Sequence, residues 1–100
     1  MSDEDKLSQA RAKAQRAQNL LDNELLKEAY AKLEAELVDA WIKTPPRDTD
    51  GRERCWAAVQ ANRKHRDYLQ SVVNDGKLAS AELKKLADDA ERSRLFRIVR

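Results

Sequence analysis

Long apolar runs are missing from this sequence. Nothing approaches the roughly 18 consecutive apolar residues that a membrane-spanning helix needs, so neither a span nor a membrane partner is expected. The N-terminal Met1-Ser2-Asp3-Glu4-Asp5 is acidic with no apolar segment behind it, so no signal peptide is expected. Cysteine is limited to Cys55 and histidine to His65. A single thiol cannot close an internal disulfide, and this pair falls well short of a structural zinc site. Both facts fit a reducing, cytoplasmic setting without a metal. Gly-rich phosphate loops, nucleophile elbows and paired-carboxylate sites are also lacking, so the expectation is a non-enzymatic protein with no cofactor. A recognition-helix signature is lacking too, because no connection has the short glycine turn of a helix-turn-helix.

Aromatic residues make up only 5% of the 100 residues, and many of the apolar 41% are alanines. A core built from these is thin for a self-sufficient domain. Two glycines and two prolines among 38% charged residues favour long helices over sheets. The net charge of +2 is too small to argue for nucleic acid, but its distribution is uneven. Residues 1–50 carry 8 basic and 11 acidic side chains, and residues 51–100 carry 12 and 7. Such asymmetry suits head-to-tail contact between subunits, or a basic face meeting an acidic partner.

The pattern that organises the chain is the stretch from Trp41 to Trp56, which holds Pro45, Pro46 and Gly51. A residue before proline is driven out of the helical region, so Thr44 ends one helix. Thr49 or Asp50 is expected to cap the next, with Glu53 reaching back in a capping-box arrangement. A short stiff loop of this kind joins two antiparallel helices. The two tryptophans then meet across the turn, as an end-of-core clamp or as a binding hot spot.

Before the turn, Ser2 or Asp3 is positioned to cap a first helical segment. Residues 1–20 offer only a weak stripe of Leu7, Ala10, Ala14, Ala17 and Leu21, so an exposed helix or one ordered by a partner is expected there. Asp22-Asn23 is a candidate kink or restart, since both side chains compete for backbone hydrogen bonds. From residue 25 the amphipathic signal is strong. Leu26, Ala29, Tyr30, Leu33, Leu37, Ala40 and Trp41 share one face. The second helix is expected from about Gly51 to Asp75, with Cys55, Trp56, Ala58, Val59, Asn62, His65, Arg66, Leu69, Val72 and Val73 inward. Asn74-Asp75-Gly76 reads as a helix stop with Gly76 left-handed. A third helix is then expected from about Ser80, facing inward with Leu83, Leu86, Ala87 and Ala90. The expected fold is therefore all-α within residues 1–100: a hairpin core over 21–75, a C-terminal helix and basic tail over 77–100, completed by oligomerisation. Coiled-coil packing is the matching geometry.

Four places carry chemistry worth weighing. Arg63-Lys64-His65-Arg66 clusters basic groups within one helical turn, and Arg63, Lys64 and Arg66 would suit phosphate contact with Tyr68 stacking on a base. The structural alternative is hydrogen bonding to Glu34 or Glu36, with Asn62 and Arg66 forming a polar layer that fixes register. His65 as a catalytic base has no nucleophile tied to it by spacing. Cys55 is either a thiol activated by Arg52 and Arg54 or a small buried apolar group. Lastly, Arg92, Arg94, Arg97 and Arg100 alternate with Leu95, Phe96, Ile98 and Val99. Of these, Arg92, Arg94, Phe96, Arg97 and Arg100 are the candidate contacts, as a docking peptide, a nucleic-acid tail or an added strand. An ordinary helix end rich in arginine is the alternative.

Several runs together resemble a family. They are Leu20-Leu21-Asp22-Asn23-Glu24-Leu25-Leu26-Lys27-Glu28-Ala29-Tyr30, Trp41-Ile42-Lys43-Thr44, Asp48-Thr49-Asp50-Gly51-Arg52-Glu53, and Arg66-Asp67-Tyr68-Leu69-Gln70-Ser71-Val72-Val73-Asn74-Asp75-Gly76-Lys77-Leu78-Ala79. This pattern, covering about residues 20–80, resembles small uncharacterised all-helical proteins encoded among the virion-assembly genes of tailed bacteriophages and prophages. The resemblance implies an accessory role in head assembly, DNA packaging or the head–tail junction. It implies a phage structural or packaging protein as partner, in the bacterial host cytoplasm or the virion. It transfers no site residues. A homo-oligomer is expected on separate grounds, since an exposed apolar stripe on long helices is most cheaply buried against a second copy. The rival expectation is a small nucleic-acid-binding module, with DNA or RNA held by the basic second half.

Overall fold

The computed structural model describes residues 2–99, the side chains of Ile98 and Val99 excepted. Among the described residues there are three helices and no strand: α1 (Asp3–Asp22), α2 (Glu24–Lys43) and α3 (Thr49–Val99). The all-α class and the hairpin with a third helix are thus present, with different boundaries. Two compact units share these helices. One takes the chain up to Ala17 together with the chain from Ser71 onward, and the other is Gln18–Gln70.

In the first unit, α1 begins where Ser2 accepts a hydrogen bond from Asp5 N at 3.1 Å. Asp3, Glu4 and Asp5 occupy its first turn, where negative charge suits the helix dipole. The alanine stripe is a packing surface here, not an exposed one. Ala14 and Ala17 are buried, Ala17 to 4% exposure, and on α3 Val72, Val73, Gly76 and Ala79 are buried as well. Gly76 explains how such small residues suffice. A Cβ at Gly76 would overlap the Ala14 methyl and lie 3.4 Å from Ala10 O. Glycine lets the α1 and α3 backbones approach until alanines interlock.

This corrects the expected stop at Asn74-Asp75-Gly76. Helix α3 runs straight through it, and no glycine has positive φ among the described residues. Gly76 stays in the helix because packing against α1 uses its missing side chain, not its left-handed freedom. Ser80 therefore caps nothing, and Ala87 and Ala90 are exposed.

The helix break falls at Asn23 instead. Asn23 is extended at φ −68°, ψ 120°, and its side-chain oxygen accepts from Leu26 N at 2.9 Å. That is the N-cap geometry an asparagine favours over a helix interior.

Candidate interaction surface

The second unit is built on the α2–α3 hairpin. Thr44 leaves the helical region at ψ 129°, as a residue before proline must, while its hydroxyl donates to Ala40 O at 2.7 Å. The cap of α3 lies one residue earlier than expected: Asp48 Oδ1 accepts from Gly51 N at 3.0 Å, and Asp48 O accepts from Arg52 N at 3.0 Å. Cys55 sits half-buried, its Sγ 3.7 Å from the Thr44 hydroxyl.

Trp41 and Trp56 meet across the turn with ring centroids 5.2 Å apart and planes tilted by 43°. The Arg52 guanidinium lies 5.8 Å from the Trp41 ring, where a cation is attracted to the π face. It also donates to Thr44 O at 3.4 Å. A polar layer follows in the middle of the hairpin. Asn62, only 7% exposed, donates from Nδ2 to Tyr30 O at 3.4 Å and to Glu34 Oε2 at 3.3 Å. Arg63 Nε donates to Glu34 Oε1 at 2.8 Å. The Arg63 hydrogen bond, joined by that of Asn62, holds the Glu34 carboxyl below its ordinary pKa, although partial desolvation opposes the shift. Arg66 lies 5.5 Å over the Tyr30 ring. At the end of α2, the Asp39 carboxylate 2.8 Å away raises the Lys43 pKa.

These contacts divide the basic cluster. Successive helical residues are separated by about 100° around the axis, so four in a row cannot share one face. Arg63 and Arg66 turn toward α2. Lys64 and His65 instead border an open hollow of about 620 Å³, whose other walls include Leu26 and Tyr30 of α2, and His65 also reaches the α2–α3 groove. In the tail, Arg92 and Arg97 are exposed, Phe96 is 63% exposed, and Arg94 pairs with Glu91 at 2.6 Å. Arg100 lies outside the described residues. Since α3 remains helical through this segment, the added-strand reading of the tail does not hold.

One face of the hairpin is left open. A groove of about 500 Å³ runs between α2 and α3, with Leu26, Leu33 and Leu37 on one wall and Ala58, Ala61 and His65 on the other. No residue of α2 is buried, and Leu33 remains 44% exposed. The sequence marked these leucines as one face. It placed Ala58 inward on α3 but not Ala61, and it did not show that this wall would be too short to cover the leucines. The Arg66–Tyr30 stack was also not foreseen; their separate periodicities gave no signal of the pairing.

No family model matches the chain, and no curated protein or solved structure matches it. Among the described residues, no three His, Cys, Asp or Glu side chains gather where a metal ion could be held, and no helix is long and apolar enough to cross a membrane.

Proposed function

We propose that this chain is a non-enzymatic interaction protein that works by protein–protein contact through the α2–α3 groove. The observation that carries the reading is the open leucine wall of Leu26, Leu33 and Leu37 on a helix with no buried residue. An amphipathic helix lying in such a groove through i, i+3, i+4 and i+7 anchors is a recurrent recognition mode. The biological setting we propose is accessory service in phage particle assembly, at the head, the packaging machinery or the head–tail junction. That setting rests on the resemblance of residues 20–80 alone. It would place the protein in the host cytoplasm or the virion.

A photo-cross-linking amino acid at position 33 tests the reading. A cross-link to a second polypeptide at native expression levels is the expected result. Failure to trap any chain from position 33, with control positions Glu82 and Lys85 equally silent, would sink it.

The nucleic-acid reading is supported by the exposure of Lys64, Arg92 and Arg97. Against it, Arg63 and Arg94 already hold carboxylates and Arg66 already stacks on Tyr30. Steeply salt-dependent DNA or RNA binding would favour this alternative, and no binding at ~50 mM salt would remove it.

A further inference from the structure

We infer that the α2–α3 groove is closed by the same groove of a second copy, in a two-fold dimer whose axis runs parallel to the hairpin helices. This inference rests on the proposed protein–protein role and names its partner. Three observations lead to it.

The first is area. The chain exposes 8043 Å². A self-contained folded monomer of 11.5 kDa should expose about 5,800 Å² by the usual scaling with mass. The excess, on the order of 2,000 Å², belongs to the whole chain and not to the groove alone, and it leaves surface enough for a dimer contact, whose totals run to roughly 2,000–5,000 Å² in obligate dimers.

The second is the inequality of the two walls. The α2 wall carries Leu26, Tyr30, Leu33 and Leu37 beside Ala29, whereas the α3 wall carries Ala58 and Ala61 beside Asn62 and His65. Two-fold symmetry makes the groove meet itself, so the walls must complement each other. Asn62 is level with Tyr30 and Glu34, and Trp56 with Trp41. Leu33 and Leu37 are therefore level with Ala61 and Ala58. An axis parallel to the helices preserves those levels and lays α2 of one copy on α3 of the other, leucine over alanine. An axis across the helices would set α2 on α2, crowding leucines on one side and leaving a void on the other. Dense interiors tolerate neither.

The third is that two antiparallel helices make half of a familiar solution. Stacking two such hairpins gives a four-helix bundle with the apolar positions enclosed. In this arrangement both Trp41–Trp56 turns lie at the same end of the dimer.

Sedimentation of the full chain between 1 and 100 µM tests the assembly. The expected mass is twice 11.5 kDa. Leu33→Glu should raise the dissociation constant at least about a hundredfold, since a charge in an enclosed apolar seam is strongly disfavoured. Should that variant lose its helical circular dichroism, a size swap keeps the test decisive. Leu33→Ala and Ala61→Leu should each weaken the dimer, and the double variant should recover it. Geometry is read by nitroxide labels at Arg47→Cys in a Cys55→Ala background. Turns at the same end place the labels about 20–30 Å apart, a few helix spacings of ~10 Å. Turns at opposite ends add roughly the 30 Å length of a twenty-residue helix.

A monomer at 100 µM overturns the inference, as does a dimer indifferent to both the charge and the size swap. Opposite-end labels overturn the parallel axis. A cross-link from position 33 to a different protein overturns self-pairing while leaving the interaction role standing. A missing cross-link to any chain removes both.

Discussion

Helix α3 takes part in two pairings, and they are made from different side chains. Along its second half it meets α1 through Ala10, Ala14, Ala17, Gly76 and Ala79. Along its first half it meets α2 through Trp41, Trp56, Tyr30, Glu34 and Asn62. The alanine seam, built mostly from the smaller apolar groups, buries Ala14, Ala17, Gly76 and Ala79 with Val72 and Val73, and leaves Ala10 half-buried. The hairpin, built from the larger ones, buries Val59 and Asn62 of α3 but no α2 residue. Apolar bulk in a sequence thus does not rank burial. Small residues let backbones close until nothing remains between them, whereas large ones at one edge of a two-helix pair need a further layer. The seam is finished as a surface, and the hairpin still has a face to cover.

Breaking each pairing separately measures this difference. The largest effect is expected from Trp41→Ala, which removes the clamp and the Arg52 contact together. The loss should be about 2–3 kcal/mol in urea unfolding, below the roughly 3–5 typical of a fully buried aromatic because Trp41 is half-buried. A loss under about 0.5 kcal/mol would mean that the tryptophan pair is not holding the hairpin.

Gly76→Ala probes the seam. Helix propensity alone favours alanine by about 1 kcal/mol. Overpacking costs about 1–3 kcal/mol, and because the obstacle is the Ala14 methyl, fixed to its backbone, the upper part of that range applies and the net loss should be about 1–2 kcal/mol. Adding Ala14→Gly should return part of that loss in a double-mutant cycle. Purely additive losses would refute the close approach.

Asn62→Ala removes two hydrogen bonds from the polar layer, with an expected cost of about 1 kcal/mol. If stability is unchanged, the layer does not contribute to hairpin stability. The smallest effect is electrostatic. Glu34 ionises below its ordinary 4.5 in the folded chain, so its stabilising contribution is complete above that pH and fades as pH falls through the lower folded value. Stability measured from pH 6 down to pH 3 should therefore fall less steeply in Glu34→Gln than in the unaltered chain. Parallel slopes would show that the Arg63 contact does not persist in solution.

Much of the hairpin was legible because its signals are local. Thr44-Pro45-Pro46 excludes helix by sterics, Asn23 prefers a cap, and tryptophans flanking a short turn are brought together by the turn itself. The choice of Asp48 over Asp50 as cap was less legible. Several capping residues follow one another, and the first helical hydrogen bond decides among them. Gly76 was misread because glycine serves two needs, a left-handed stop and a close approach. Only its neighbour on α1 distinguishes them, and Ala14 is far away in sequence. The leucine face was visible along α2, but the groove was not, because its second wall belongs to α3.

The sequence by itself determined the helical class, the corner at Pro45-Pro46 and the amphipathic face of α2, since these follow from steric limits and periodicity within a few residues. Tertiary structure decided that α3 continues through Gly76 and that the alanines of α1 are buried. It also decided which arginines are held, Arg63 by Glu34 and Arg66 by Tyr30, and which wall of the groove lacks bulk. Those outcomes depend on how closely two backbones approach, and that distance is set jointly by residues on both helices.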